Sequence, residues 1–511
     1  MNSQVVGEFI TSAHVTLIGV IVVILTSILY IILSLTTSRF STPIPRVGKA
    51  PNWFGLAEAK RDFIANGKKL IDEGYSKYKD SMFMVQTADM ERVVVSARYV
   101  DELRAAPESV LSLREAMSQR HLGEFTTLDV ILTSHLQNDV CKTQLTQNLS
   151  GLVPTMNEEA KLWLTELIPS TNACVEVTGY QNMLQIVTGM SSRTFVGPTL
   201  SKDERWLRMI VEYTVDVFQI SASLRPYPAL LRPWIAPWLT SVKRMRSHLH
   251  IAQELFGPVF ADGMSEDPIY HNECSVIEWM ARSARGEDRD PRILVKKLLF
   301  LTLAAIHTST MSITHALFDL CERAEYMEPL RKEIATVVKT YGWTLTAIHE
   351  MKLLDSFIKE SQRINHPGLL SFNRWIRSPL RLSDGIVLPA NTFVSMATNS
   401  IAHDPAYYKD PDSFDAFRFL NRRLASEKDA QRHQFVSTGP DSLPFGHGKF
   451  SCPGRFFAAA QIKLVLANII MKYDVSFPGS QARRPENVFT GEGIAPDRKQ
   501  KVMFKKLAQE D

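Results

Sequence analysis

Cysteine is scarce in this chain. Five occur in 511 residues, at Cys141, Cys174, Cys274, Cys321 and Cys452, and no two stand in a Cys-x-x-Cys pair. An odd, scattered set argues against a disulfide framework and a Cys-rich zinc site, and puts the body of the protein in a reducing compartment. A surplus of one charge sign is missing too. Lys and Arg number 58 against 54 Asp and Glu, a net charge of +4. With no clustered basic stripe, that balance argues against nucleic acid as a partner. No Gly-x-Gly-x-x-Gly falls between a strand pattern and a helix pattern, so no nicotinamide site is expected here. Long linkers are absent beyond residue 51, which favours one folded unit over 52–511.

Apolar sequence is plentiful, at 45% of the chain. The run from Val15 to Leu35 contains no charged side chain. At ~1.5 Å per residue a helix of this length spans roughly 31 Å, matching a bilayer core of about 30 Å. No Lys or Arg precedes it, so it does not read as a secretory signal peptide. Arg39, Arg46 and Lys49 follow, which places the C-terminal side in the cytoplasm. The expected order is a short lumenal N-terminus (1–14), a transmembrane anchor (15–35) and a Pro-rich connector (36–51). A single cytoplasmic domain (52–511) follows. On this topology the sequon Asn148-Leu149-Ser150 stays unmodified.

Helical patterns dominate the domain. They cover Lys60–Tyr78, Glu158–Glu166, Leu207–Ser221, Val242–Leu255, Pro291–Ala324, Glu328–Tyr341, Asp355–Ile364 and Arg455–Tyr473. Short β-rich stretches at Phe83–Val85, Val93–Ser96, Ile386–Leu388, Phe393–Met396 and Val502–Phe504 lie isolated between them. This predicts a mainly α fold with small β-sheets, not a doubly wound parallel sheet.

The passage with chemistry is Leu443-Pro-Phe-Gly-His-Gly-Lys-Phe-Ser-Cys-Pro-Gly-Arg-Phe456. Gly446 and Gly448 permit a tight loop. Cys452 then precedes Pro453 and an apolar helix pattern, and a helix N-terminus lowers a thiol pKa. Phe445 and Phe450 shield the sulfur from water. Three roles stay open on these residues alone: a buried structural thiol, a nucleophile served by His447, and a metal ligand.

The segment resembles the haem-binding loop of the cytochrome P-450 family, Phe-x-x-Gly-x-(Arg/His)-x-Cys-x-Gly. Phe445, Gly448, Cys452 and Gly454 match. Phe450 departs, standing where the family places a basic residue against a haem propionate. Three further elements resemble the family in order. Glu360 and Arg363, on one helix face, look like its Glu-x-x-Arg pair. Arg418, in Pro411-Asp-Ser-Phe-Asp-Ala-Phe-Arg-Phe419, looks like the arginine that completes a buried network with them. Ala304-Ala-Ile-His-Thr-Ser-Thr310 resembles the oxygen-activation segment, with Thr308 as its threonine, Ala305 for its glycine and His307 for its acid.

The resemblance implies a triangular helical haem domain behind the anchor. The cofactor is haem b with Cys452 as axial thiolate, which favours O–O cleavage. One atom of O2 then enters an apolar C–H bond and the other leaves as water. Thr308 relays protons and His307 tunes their delivery. Arg455 joins the cofactor-binding loop, and Lys142 and Arg374 are the expected propionate partners. Phe300, Leu303, Ala304, Leu369, Leu370 and the stretch Leu122–Leu128 are expected to line the substrate pocket. Electrons come from an NADPH-dependent flavoprotein reductase docked near Lys449 and Arg455. The anchor suits a lipid-soluble substrate, membrane lipid and the endoplasmic reticulum membrane, crossed once. The Ala-Ile-His-Thr variant and Ser371-Phe-Asn-Arg374 look like fungal members that oxidise terpenoid secondary metabolites. Two alternatives accompany this reading: a haem-thiolate isomerase or dehydratase that consumes no net O2, and a haem-binding membrane protein without turnover.

Overall fold

The computed structural model describes residues 44–508 except 51–54, 170–172 and 266–273, together with a few helical positions between 19 and 26. Most of the expected anchor at 15–35 and most of the connector therefore lie outside the described residues.

The architecture is organised by one long helix, Pro291–Glu322. Asp290 caps it by accepting the Arg292 N–H at 2.8 Å, and Pro291 suits its first turn. It packs against the helices Gly179–Leu200, Thr240–Gly263, Lys352–Ile364 and Arg455–Lys472. Among the described residues it is the one helix long and apolar enough to cross a bilayer, yet most of its apolar stretch is buried in the core. Burial on nearly every side explains why it lacks a polar face.

Gly179–Leu200 was not foreseen. Its sequence mixes Gly, Ser, Thr and Pro198, all weak helix formers. Close packing stabilises it instead: a Cβ on Gly189 would sit 1.9 Å from the Trp163 indole nitrogen.

The predicted strands are not isolated. Three of them fall in one six-stranded mixed sheet, in the order Arg46–Val47, Met82–Gln86, Glu91–Val95, Thr392–Met396, Ser371–Ile376 and Leu111–Ser112. A three-stranded sheet joins Tyr473–Ser476, Lys501–Lys506 and Val175–Thr178. One hydrophobic core surrounds the long helix, and two smaller ones lie under the large sheet. The large sheet thus delivers Arg374 to the cysteine loop, where it rests on Phe450.

Candidate active site

The loop before Arg455–Lys472 is fixed by its own backbone. The Cys452 N–H donates to the Phe445 carbonyl at 2.7 Å, closing the turn. Gly446 and Gly448 hold φ of 65° and 74°, which favour glycine. A Cβ on Gly448 would also press to 2.8 Å from Arg104 Cβ. Phe445 packs edge-on against Phe435, and the Lys449 ammonium donates to the Ala106 carbonyl at 2.7 Å. Arg455 turns back on the loop, donating to the Cys452 carbonyl at 2.9 Å and to Ser451 Oγ at 3.3 Å.

The Cys452 thiol differs from its expected state. Burial pushes its pKa up, and the Gly454 N–H and the Arg455 charge only partly oppose that. The helix starts at Arg455, beyond Pro453 and Gly454, so its dipole is remote. Nearby His447 engages Thr438, Nδ1 to Oγ1 at 3.0 Å, and no described hydrogen bond joins it to Cys452. Among the described residues no group of three or more His, Cys, Asp or Glu is arranged to hold a metal ion.

Glu360, Arg363 and Arg418 meet. The Arg363 guanidinium grips Glu360 with two bonds of 2.8 Å, from Nε and Nη2. Arg418 Nε donates to the same carboxylate at 3.0 Å. Both arginines also donate to main-chain carbonyls: Arg363 to Ala402 and Pro411, Arg418 to Lys409 and Ser413. Glu360 is fully buried. The network pins the segment 402–418 to the helix Lys352–Ile364.

Arg374 is a buried cation without an anion. Its guanidinium lies 4.2 Å from the Phe372 ring centre and 5.1 Å from that of Phe450. Its Nη1 donates to the Asn373 carbonyl, but Nε and Nη2 have no partner. Burial alone pulls its pKa to about 10. Gln137 is the matching surprise. It is 0% exposed, and neither its oxygen nor its nitrogen has a partner. It lies one helical turn before Cys141, whose thiol sits near enough to Cys452 to feel its charge. No motif marked Gln137; only its burial does. Lys142, by contrast, is exposed on the outer side of the turn Cys141–Leu145 and donates to the Lys449 carbonyl at 3.4 Å. It is not part of the buried donor set.

On the long helix, Ala304 and Thr308 are exposed while Ile306, Ser309 and Thr310 are buried. Residues four apart share a helix face, so these two open a slot in a buried wall. The Thr308 hydroxyl donates to the Ala304 carbonyl at 2.7 Å. The helix runs unbroken through this point. Ala305, in place of glycine, favours the continuous form. His307 faces elsewhere: its Nδ1 lies 3.4 Å from the Tyr180 hydroxyl. Burial, then the Arg498 charge, pulls it to about 4, so it is neutral near pH 7. Its Nε2 has no well-formed hydrogen bond, although the Val211 carbonyl faces the ring and weakly favours a proton there.

The expected pocket residues divide. Leu303 is half-buried beside the open slot. Phe300 and Leu370 are almost closed off. Leu369 is 0% exposed and packs with the Phe63 and Ile71 cluster, so it is core and not pocket lining. Leu122 and Leu128 are likewise buried.

These features recur across a known family. A model of cytochrome P-450 matches residues 59–502. The chain belongs to the cytochrome P-450 family. Monooxygenase olcJ of Penicillium canescens, of the same family, is 37% identical over 90% of this chain and 88% of its own length. Monooxygenase paxP of Penicillium paxilli is 35% identical over 94% of each chain. An ent-kaurene oxidase of Gibberella intermedia is 33% identical over 94% of this chain and 91% of its own. Among solved structures, a retinoic acid-bound cyanobacterial CYP120A1 shares the fold. Its TM-score is 0.67, over 91% of this chain and 100% of that one, at 20% identity.

The protein is therefore a P-450 monooxygenase, and its cofactor is haem with an axial cysteine thiolate. The residues present suit that group. The half-buried Cys452 thiol suits an iron ligand, and unpartnered buried donors on Arg374 and Gln137 suit anionic propionates.

Proposed function

We propose that Cys452 is the axial ligand and that the chain oxidises an apolar, terpenoid-type secondary metabolite. The observation that carries the ligand assignment is the Cys452 loop, closed by the bond from the Cys452 N–H to the Phe445 carbonyl, with Gly446 and Gly448 at positive φ. The substrate class rests on relatives whose names include an ent-kaurene oxidase.

When bound, haem supplies the reductive activation of O2 that puts one oxygen atom into a C–H bond and releases the other as water. The chain's own residues do the rest. Arg374 and Gln137 hold the propionates with the donors left free in the protein. Ala304 and Leu303 present an apolar wall that orients a hydrocarbon and excludes water. Thr308 holds a proton at Oγ1. By releasing the Ala304 carbonyl it can donate toward the slot, and Ser312 Oγ, 3.1 Å from the Thr308 carbonyl, restrains that same turn. His307 is neutral and tied to Tyr180, so it tunes the helix and not the charge of the slot.

The same reading makes 15–35 a single endoplasmic reticulum anchor, joined by 36–51 to a cytoplasmic domain at 52–511. An NADPH-dependent flavoprotein reductase then docks at the loop face, where Lys449 is exposed. The deciding experiment is the reduced carbon-monoxide difference spectrum of the purified chain. A thiolate-type Soret band is expected, lost in Cys452→Ser; haem-loaded protein without that band overturns the assignment. Product analysis with ent-kaurene and other diterpene hydrocarbons, supplied with reductase and NADPH, then tests the substrate class.

A further inference from the structure

An open cleft of about 630 Å³ lies between the helices Thr240–Gly263 and Pro291–Glu322. It shares no residue with the cysteine loop or with the slot at Thr308. Residues four apart share a helix face, so Arg246 and His250 stand together on one wall and Arg292 and Lys296 on the other. Leu249 and Ile293 are half-buried against the main core and form an apolar floor. Gln253 joins the walls, its Nε2 donating to the Arg292 carbonyl at 3.3 Å.

Cations outnumber acids in this cleft. Asp290 is the acid among the lining residues, and it is already occupied. It accepts the Arg292 N–H at 2.8 Å and takes Arg292 Nε and Nη2 at 3.1 and 2.8 Å. Glu254, next along the first helix, is held by Arg205 at 3.0 Å. Among the described residues, no carboxylate comes within ion-pair distance of Arg246 or Lys296. The imbalance runs along both helices. Thr240–Gln253 carries Lys243, Arg244 and Arg246 and no Asp or Glu, and Asp216 answers Arg244 alone. After Pro291 the first acid is Asp319. Arg292 and Lys296 also repeat one sign at i, i+4, which weakens a helix standing alone. A local rule broken without an internal counter-charge points to one supplied from outside.

Spacing selects the anion. Residues four apart on a helix lie about 6 Å apart along its axis, and residues two apart on an extended chain lie about 6.6 Å apart. Successive side chains of an extended chain also point to opposite faces. A segment with Asp or Glu at every second position therefore meets the cationic pairs at the rim and rests its intervening apolar side chains on Leu249 and Ile293. A free phosphate would meet one pair and leave the floor wet. We propose that the cleft docks such a segment of a partner protein, extended and alternating acidic with apolar residues, with Arg246 and Lys296 as its main charge partners. A second copy of the chain meeting this face symmetrically would set the same cations against each other.

The test uses full-length, haem-loaded protein in neutral detergent and a fluorescein-labelled peptide, Glu-Leu-Glu-Leu-Glu, read by fluorescence anisotropy. Saturable binding is expected, weakening as salt is raised. Arg246→Gln with Lys296→Gln should weaken it about tenfold, because each rim charge contributes on the order of threefold. Lys332→Gln with Lys339→Gln removes the same charge from the exposed side of the helix Met327–Tyr341 and should leave binding unchanged. A peptide of the same composition with its acids adjacent, Glu-Glu-Glu-Leu-Leu, should bind more weakly. An unchanged carbon-monoxide spectrum shows that each variant still folds. Equal loss in the two double variants overturns the proposal, because net charge then suffices. So does the absence of saturable binding, or equal binding of the two peptides. Displacement of the label by inorganic pyrophosphate at lower concentration than by unlabelled peptide also overturns it, because the cleft then selects a small anion.

Discussion

The Arg374 guanidinium rests on the face of Phe450, 5.1 Å from the ring centre. The family's basic residue at position 450 is thus replaced by an aromatic platform that carries a cation from a neighbouring strand. Arg374→Gln should speed haem loss to apomyoglobin by more than about tenfold, since losing one side of a buried charge pair costs about 2–5 kcal/mol. Reconstitution with haem dimethyl ester, which has no propionate charge, should bring the variant and the unaltered protein level. An equal loss rate with ordinary haem would remove Arg374 from the site.

Glu360 sits fully buried between two arginines. Arg418→Ala leaves half of that carboxylate's charge unanswered and frees the carbonyls of Lys409 and Ser413. A destabilisation of about 3–5 kcal/mol is expected. Thermal melts and haem content of the purified variant measure it, and little haem-loaded protein should survive.

Acid should weaken the fold through its buried histidines. His366 is 2% exposed, its Nδ1 is held 2.7 Å from the Gly368 carbonyl, and burial draws its pKa to about 4. The unfolded chain, with a pKa near 6.5, binds the proton first. Stability is therefore complete above about pH 6.5 and drains as pH falls toward 4. For His366 the loss is on the order of 3 kcal/mol. Urea melts of His366→Gln should fall less steeply between pH 6.5 and 4.5 than those of the unaltered protein.

Thr308 is exposed in the slot and its hydroxyl is committed to Ala304. Thr308→Val keeps the shape and removes the proton carrier. The thiolate carbon-monoxide band and the melting temperature should stay put. Product formed per NADPH should fall about tenfold or more, with hydrogen peroxide taking its place. Unchanged coupling would make Thr308 a packing residue.

Much of this was legible in the chain. Pro291 after Asp290, and the long apolar run behind them, announce the central helix because capping and composition agree there. The cysteine loop shows itself through glycines at positions that need positive φ. Gly179–Leu200 was hidden because its residues disfavour a helix and only contact with Trp163 and the central helix stabilises it. Strand Ser371–Ile376 alternates in burial, but one of its buried positions is Arg374, which breaks the apolar alternation that marks a strand in sequence. Gln137 belongs to no spacing rule. Its meaning comes from unpartnered atoms, and those exist only in three dimensions.

The slot at Ala304 and Thr308 has a consequence for how this enzyme changes over generations. Ile306 and Thr310, on the same helix, are sealed in the core, where altered volume threatens folding. Ala304 borders open space instead, so a larger side chain there narrows the chamber at little expense to stability. Selectivity can drift at that one position while the scaffold stands still.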